Sequence, residues 1–366
     1  METLPEQLIV DVLLRLPVKS LLRFKSVSKL WRSLISDPRF AHSHFQLSSS
    51  LADRIVHIAN FGGRSIDFHS SFDRDSAIAN LNFPITPNVM IRGSCRGFVL
   101  LDAYHHLFIW NPSTGFYKQV PYFPMLSPFC PFVLGLGYDA TDDDYLLLVG
   151  ACDPYDDDCG SDFQFFSTKA NSWKKIEGTG SFPYMNAIDD PRAGVFLKEA
   201  IHWLAFRHDT SVELILAFNV IQRKLIEIPL PGDFSETLEF VFLGTLGGYL
   251  SLYVVDDDLN GGEIWLMKEY GTKSSWTKSI VVSVEIPCDY FFPICLTQSG
   301  EIVGSDGRNA LVKCNEKGQV LERGDYNYRM DEDDTVVCRD SLLSLPCDGG
   351  RCGRNRRRAT KTKKRY

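Results

Sequence analysis

The sequence has 366 residues, which is enough for two domains or for one large β domain with an appendage. Its 44% hydrophobic and 12% aromatic content excludes a chain that is disordered throughout, and its net charge of −7 gives no indication of nucleic-acid binding. Residues 351–366 differ, since they hold nine Lys or Arg and no acid, and subtracting them from the total leaves −16 for the rest. We therefore expect an acidic body and a basic, disordered tail over residues 347–366.

The first residues, METLPEQ, carry no positively charged region, and Asp11 and Arg15 interrupt the apolar run that follows, so no secretory signal is predicted. No stretch approaches the roughly 18 uncharged apolar residues of a membrane span. The ten cysteines are scattered without a C-x-x-C pair, which favours reduced thiols. We expect a protein of the cytoplasm and nucleus that does not contact membranes.

Three short helices are predicted at the N-terminus. Thr3 and Glu6 have the spacing of a capping box, and apolar residues then follow at helical intervals until Pro17 ends the first helix. Ser20 can cap a second helix, and a third begins near Ser28. Such a unit is too small to bury all of its apolar side chains, so the surplus either packs against the rest of the chain or forms a docking surface for a partner.

The same stretch resembles a known family. From Leu4 the sequence reads L-P-E, and later L-x-R-L-P-V-K-S-L-L-R-F-K-S-V-S-K-x-W-R-S-L-I-S-D-P-x-F, which is similar to an F-box over about the first 45 residues. The resemblance implies binding to a SKP-type adaptor, and through it to the cullin and RING subunits of a ubiquitin ligase. By that resemblance, the adaptor-facing candidates are Leu4, Pro5, Leu8, Leu13, Leu16, Pro17, Leu21, Val27 and Trp31.

The rest of the chain shows a repeat of short apolar strands. The strands begin at Arg54, Gly97, Asp144, Ala200, Gly248 and Glu301, which are 43 to 56 residues apart. Each is followed by a pair of strands around a polar turn, as in HLFIWNPSTGFYKQVP and ELILAFNVIQRKLIEIPLP. A period of this length with about four strands is typical of a β-propeller blade, whereas a β-sandwich does not require it. We predict a mainly β, propeller-like domain of about six blades.

One more strand follows the last repeat, in DTVVCRDSLLSLP from Asp334 to Pro346. We predict that it closes the ring by pairing with the first blade. The repeats also resemble the F-box-associated, kelch-like domain of plant F-box proteins, through G-S-C-R-G at Gly93, W-N-P-S-T-G at Trp110, G-L-G-Y-D at Gly135 and I-W-L-M-K-E-Y-G at Ile264. The expected domains are therefore an F-box at 1–45, the kelch-like propeller at 50–346 and the tail at 347–366.

Motifs of catalysis are not found. The sequence holds no G-x-S-x-G, P-loop or G-x-G-x-x-G, and neither its cysteines nor its histidines have the spacing of a zinc site. No catalytic residue, cofactor or metal ligand is predicted. Acidic runs begin at Asp142, Asp153, Asp256 and Asp331, which indicates either solvated turns or an acidic rim that attracts a basic target.

Together these features favour a non-enzymatic, substrate-recognition subunit of an SCF-type ubiquitin ligase, with a SKP-type adaptor and an unknown target protein as its partners. Two alternatives stay open at this point. One is a protein-interaction scaffold that binds the adaptor without promoting degradation. The other is a propeller hydrolase or lectin that carries a fused helical unit.

Overall fold

The computed structural model describes residues 5–48, 53–59, 62–72, 77–81, 89–103, 106–121, 131–151, 161–176, 183–186, 193–231, 241–255, 261–283, 291–307, 309–326 and 335–346. Within these residues helices come first, and the later elements are strands apart from short 3₁₀ turns such as Lys273–Ser275. The predicted tail over 347–366 lies outside the described residues. None of the described helices is long and apolar enough to cross a membrane.

Four helices form the N-terminal unit, one more than the sequence predicts. They are α1 (Glu6–Leu13), α2 (Val18–Phe24), α3 (Lys29–Ser36) and α4 (Pro38–Leu47). The additional helix begins at Asp37-Pro38, where the Asp37 carboxylate accepts a hydrogen bond from the Arg39 amide and Pro38 occupies the first helical position. The sequence pattern predicts no helix at this Asp-Pro pair.

The helix starts differ from the predicted caps in two of three cases. Pro5 and Pro17 occupy the N-cap positions of α1 and α2, without side-chain capping hydrogen bonds. Ser20 therefore lies inside α2 and does not cap it, because the fixed φ of Pro17 starts that helix three residues earlier. The third prediction is confirmed, since Ser28 Oγ accepts from the Trp31 amide at 3.1 Å. The predicted capping partner Thr3 lies outside the described residues.

The described strands form six antiparallel sheets, arranged as six propeller blades. Blade 1 contains β25 (Thr335–Arg339), β1 (Asp53–Ala59), β2 (Gly62–Ile66) and β3 (Ile78–Asn80). Blade 2 contains β4 (Val89–Cys95), β5 (Phe98–Ala103), β6 (His106–Asn111) and β7 (Phe116–Gln119). Blade 3 contains β8 (Pro131–Asp139), β9 (Asp144–Ala151), β10 (Asp162–Ser167) and β11 (Ser172–Lys175).

The other three blades follow the same order, from the channel outward. In blade 4, β12 (Tyr184–Asn186) and β13 (Val195–Leu197) both pair with β14 (Ala200–Arg207), which is followed by β15 (Val212–Asn219) and β16 (Lys224–Pro229). Blade 5 contains β17 (Val241–Leu246), β18 (Tyr249–Val255), β19 (Gly261–Met267) and β20 (Trp276–Ser283). Blade 6 contains β21 (Phe292–Leu296), β22 (Ile302–Ser305), β23 (Ala310–Cys314) and β24 (Val320–Asp325).

Apart from the ring-closing strand, the predicted strands are the second, third and fourth strands of the blades. The six apolar strands that define the period are β1, β5, β9, β14, β18 and β22. The chain's last strand, β25, pairs antiparallel with β1 from Asp53↔Arg339 to His57↔Thr335. The prediction of ring closure is thus confirmed, since the last strand of the chain covers the inner edge of β1 in blade 1.

The core of the propeller lies between the blades. Six clusters of buried side chains each join two neighbouring blades, as Trp110 does between blades 1 and 2 and Phe291 between blades 5 and 6. Each sheet covers one neighbour with one face and the other neighbour with the second face, so its middle strands are buried on both sides. This arrangement accounts for the uninterrupted apolar runs that mark the period in the sequence.

The inner strands approach one another where glycines leave space. In blade 3, a Cβ on Gly135 would lie 2.5 Å from Ile201 Cγ2 and 2.7 Å from the Trp203 ring. In blade 4, the Gly194 amide lies within hydrogen-bonding distance of the Leu134 carbonyl, at 3.0 Å. Glycines at these inner positions therefore let β4, β8 and β13 meet at the centre of the ring.

The two ends of the propeller differ. The turns that join first to second strands and third to fourth strands lie at one end, which we call the turn face. Asp144 belongs to the acidic run of one such turn, but it is buried and accepts hydrogen bonds from the hydroxyls of Ser167 and Thr168. That carboxylate ties two turns together, whereas Asp142 and Asp143 are exposed. The acidic runs at Asp153, Asp256 and Asp331 lie outside the described residues.

Candidate protein-docking surfaces

The four helices share a small interior. Leu13, Leu21 and Ile35 are 0–1% exposed and pack with Val18, Phe40 and Ala41. His44 reaches this interior from α4, and its Nε2 lies 2.8 Å from the Leu16 carbonyl oxygen at the end of the first helix. Phe24 and Trp31 pack edge to face at 5.2 Å. The helices therefore hold one another in place and leave part of their apolar surface outside.

The predicted adaptor-facing residues divide by exposure. Leu13 and Leu21 are fully buried, so they hold the helices together and present nothing to a partner. Their helical spacing could not reveal this, because the same spacing marks an interior face and a docking face. Leu16 and Trp31 are half-buried, whereas Pro5, Leu8, Pro17 and Val27 are exposed. Leu4 lies outside the described residues.

Exposed apolar side chains are concentrated on the helices. Among the described residues, five of the twelve exposed large hydrophobic side chains lie between residues 5 and 48: Leu8, Val12, Val27, Leu30 and Leu47. Val12, Leu30 and Leu47 are not among the predicted adaptor-facing residues. The i+4 spacing of Val12 from Leu8 was the available signal, since residues so spaced share one face of α1. We call Leu8, Val12, Val27 and Leu30 the apolar surface set.

The helical unit also differs from the propeller in charge. Residues 5–48 contain seven Lys or Arg and three Asp or Glu, although the whole chain is acidic. Arg15, Lys19, Arg23, Lys29 and Arg32 are exposed. An apolar set beside basic side chains fits a partner surface that is apolar at its centre and acidic at its rim.

The central channel of the ring contains a cavity of about 190 Å³. Most residues that line it are apolar, and Ser94, Thr245, Ser251 and Thr335 are among its polar members. This volume is below the roughly 300 Å³ at which small-molecule sites usually begin. A protein partner needs about 800 Å² of surface on each side, which a propeller face can offer and this channel cannot.

The described residues contain no group of three or more His, Cys, Asp or Glu placed to hold a metal ion. Burial raises the pKa of the thiols of Cys95, Cys295 and Cys338, so these groups are protonated and unreactive at neutral pH. Burial also lowers the pKa of His202 to about 4. Its ring bridges the Val195 carbonyl and the Tyr270 hydroxyl, which is a structural arrangement between blades 4 and 5.

The fold and the helical surface define a class of protein in which a six-bladed propeller carries a helical docking unit. Comparison with known families agrees with this description. Residues 37–340 match the F-box associated beta propeller domain, and residues 1–43 match the F-box domain. The chain belongs to the family of F-box proteins with an F-box associated β-propeller domain. Proteins of these families are generally non-catalytic adaptors, and an F-box implies binding to a SKP-type adaptor.

Curated relatives that are similar in sequence include proteins of Arabidopsis thaliana. The F-box/kelch-repeat protein At3g23880 is 26% identical over 363 residues, covering 93% of this chain and 94% of the relative. F-box protein CPR1 is 29% identical, covering 77% of this chain and 73% of the relative. F-box protein At5g49610 is also 29% identical, covering 82% and 84%. The similarity therefore extends over both the helices and the propeller.

Proposed function

We propose that this chain is the substrate-recognition subunit of an SCF-type ubiquitin ligase. Its F-box binds a SKP-type adaptor, which connects it to cullin and RING subunits, and its propeller binds a target protein. The observation that carries the proposal is the apolar surface set on an F-box, exposed at 44–61% of each side chain. Exposed apolar side chains of this kind are costly to leave in water unless a partner covers them.

The chemistry of ubiquitin transfer belongs to the partners in this proposal. The chain contributes by holding a target close to the ubiquitin-loaded conjugating enzyme, which raises the effective concentration of the target's lysines. The propeller suits this task because its loops lie on a scaffold of blades with buried cores. The acidic runs that begin at Asp153, Asp256 and Asp331 in the sequence favour a basic target protein.

Adaptor binding is expected to depend on the apolar surface set. We expect Leu8→Ala/Val12→Ala/Val27→Ala/Leu30→Ala to weaken the affinity for a SKP-type adaptor by about 100-fold, since the four truncations together remove about 2.8 kcal/mol of interface energy, or about 0.7 kcal/mol each. The affinity is measured by calorimetry with purified adaptor. The helices are expected to persist in this variant, because the four side chains lie largely outside the interior of the helical unit. Circular dichroism checks this.

The matched control is Val212→Ala/Leu321→Ala on the propeller. These side chains are 48% and 53% exposed, like those of the apolar surface set, but they lie on β15 and β24. The control is expected to bind the adaptor as the unaltered chain does. Unaltered affinity in the quadruple variant, or equal losses in both variants, would contradict the proposed docking face.

A non-degradative scaffold is the second candidate function, because the same apolar surface set would serve it. Adaptor-dependent ubiquitination of a co-purified target protein distinguishes the two. The scaffold binds both partners without transferring ubiquitin to the target. The ligase subunit leads to modified target only when adaptor, cullin and RING subunits are all present.

We infer that the protein works in the cytoplasm and nucleus, with its tail as an import signal. The support is compositional, since residues 351–366 carry nine basic residues. Removing residues 347–366 from a fluorescent fusion is expected to lower its nuclear fraction, and replacing the nine Lys and Arg by Gln at constant length is expected to do the same. An unchanged nuclear fraction in both would remove the tail from this role.

A further inference from the structure

Two motifs of the propeller meet on the turn face of blade 2. The first, G-S-C-R-G, ends β4 and forms the turn into β5 with Arg96 and Gly97. The second, W-N-P-S-T-G, ends β6 and forms the turn into β7. The segment that follows the ring-closing strand, Asp340–Pro346, crosses this place. We call it the junction segment.

Asn111 binds the junction segment with its side chain. Its Nδ2 donates to the carbonyl oxygens of Ser341 at 3.2 Å and Leu343 at 3.0 Å. Its Oδ1 accepts from the amides of Ser113 at 3.0 Å and Thr114 at 3.1 Å, which folds the turn. The residue is 0% exposed. An asparagine amide is needed here because it both donates to the carbonyls of the junction segment and accepts from the amides of the turn.

The remaining contacts of blade 2 with the junction segment are equally specific. Ser113 Oγ donates to the Asp340 carboxylate at 2.9 Å and accepts from the Ser341 amide at 3.1 Å. A Cβ on Gly97 would lie 2.2 Å from Ser341 Cβ and 2.8 Å from the Arg339 carbonyl oxygen. Gly97 therefore permits the close approach, and its φ of +82° also favours glycine.

The other side of the junction segment belongs to the helices. Leu342 is 8% exposed and packs in the helix interior with Leu13 and Leu21. Leu343 contacts that interior and also the core between blades 2 and 3. Leu345 is 2% exposed within the latter core. The segment thus joins the hydrophobic interior of the F-box to that of the propeller.

The helices also contact the propeller directly, beside the junction segment. The Arg96 guanidinium lies 3.9 Å from the centroid of the Tyr138 ring and 4.9 Å from that of Phe45, at the end of α4. Arg339 approaches the same Phe45 ring at 5.7 Å. Planar guanidinium groups stack well on aromatic faces, so Phe45 is held by two cations from blades 1 and 2.

We infer that blade 2 of this propeller is a docking site for its own F-box, with the junction segment between them and Arg96 as a positioning residue. The two motifs then serve F-box orientation and not target recognition. Resting on the proposed function, the consequence is that adaptor and target are held at one fixed separation. Two domains joined without such an interface would by default move relative to each other.

The test measures the distance between the domains in the full chain. Spin labels on unnatural amino acids replace exposed Gln46 in α4 and exposed Lys273 in blade 5, and pulsed electron resonance gives the distance distribution. We expect a narrow distribution for the otherwise unaltered chain. Arg96→Asn tolerates the φ of 49° at this turn but removes the guanidinium, and Phe45→Ala removes its partner. Each is expected to broaden the distribution about twofold or more.

Lys198→Asn is the matched control. Lys198 occupies the equivalent turn in blade 4, between β13 and β14, with a φ of 45°. Its replacement by Asn is expected to leave the distance distribution narrow. A broad distance distribution in the unaltered chain overturns the inference. A narrow distribution in both Arg96→Asn and Phe45→Ala overturns it as well. The melting temperature of each variant shows whether the propeller itself persists. The measurement involves no adaptor, so failure of adaptor binding alone would contradict the proposed function and leave this inference standing.

Discussion

A chain that ends after Tyr326 is expected to lose its folded propeller. The deletion removes β25, which forms five residue pairs with β1, and the junction segment that follows. It also removes buried Cys338, Leu342 and Leu345 from three cores. At about 2–5 kcal/mol for each large apolar side chain lost, the cost exceeds about 5 kcal/mol, which is comparable to the whole stability of a typical domain. Soluble yield and thermal unfolding followed by circular dichroism measure the loss.

A chain that ends after Pro346 is the control for this deletion. It lacks only residues 347–366, so every described contact of β25 and the junction segment is kept. We expect it to melt like the full chain. In the full-length chain, Cys338→Asp places a carboxylate at a site that is 5% exposed and should reproduce much of the destabilisation. An unchanged melting temperature in both the long deletion and Cys338→Asp would show that β25 contributes little to the ring.

Trp110→Ala is expected to destabilise the propeller by about 3–5 kcal/mol, which corresponds to a fall in melting temperature of roughly 6–20 °C. Trp110 is 0% exposed and fills the space between blades 1 and 2. Its ring lies against the backbone of β2, because a Cβ on Gly63 would be 3.5 Å from Trp110 Cη2. Removing the indole leaves a cavity that these sheets cannot close without shifting.

Trp173→Ala is the comparison for that substitution. Trp173 lies in the corresponding turn-and-strand motif of blade 3, but it is half-buried on the outer strand β11 and donates to the Pro121 carbonyl at 3.0 Å. We expect its loss to cost about 1–2 kcal/mol, mainly one hydrogen bond and part of an apolar contact. Equal destabilisation by the two substitutions would mean that the difference in burial does not determine how much each tryptophan stabilises the propeller.

Much of the architecture could be predicted because each blade repeats a local pattern. Strands such as β9 and β14 are buried on both faces, so they read as apolar runs, and their spacing revealed six units. Apart from β25, the inner strands were not predicted as strands. Some of them, such as β4 and β8, include glycines that permit close contacts with residues 193–194 and with β14, and these glycines weaken the strand signal.

The order of the domains, the period of the propeller and the apolar helical unit can all be predicted from the sequence, because helix and strand patterns depend on residues close together in the chain. Which apolar side chains are exposed to solvent depends on tertiary packing. Leu8 and Leu13 have similar local patterns, yet one is 50% exposed and the other 0%, because contacts among α1, α2, α4 and Leu342 cover only the latter's face. The role of Asn111 was likewise hidden, since its partners Ser341 and Leu343 lie more than 200 residues along the chain. Only folding brings such distant groups together, and their burial then decides what each one does.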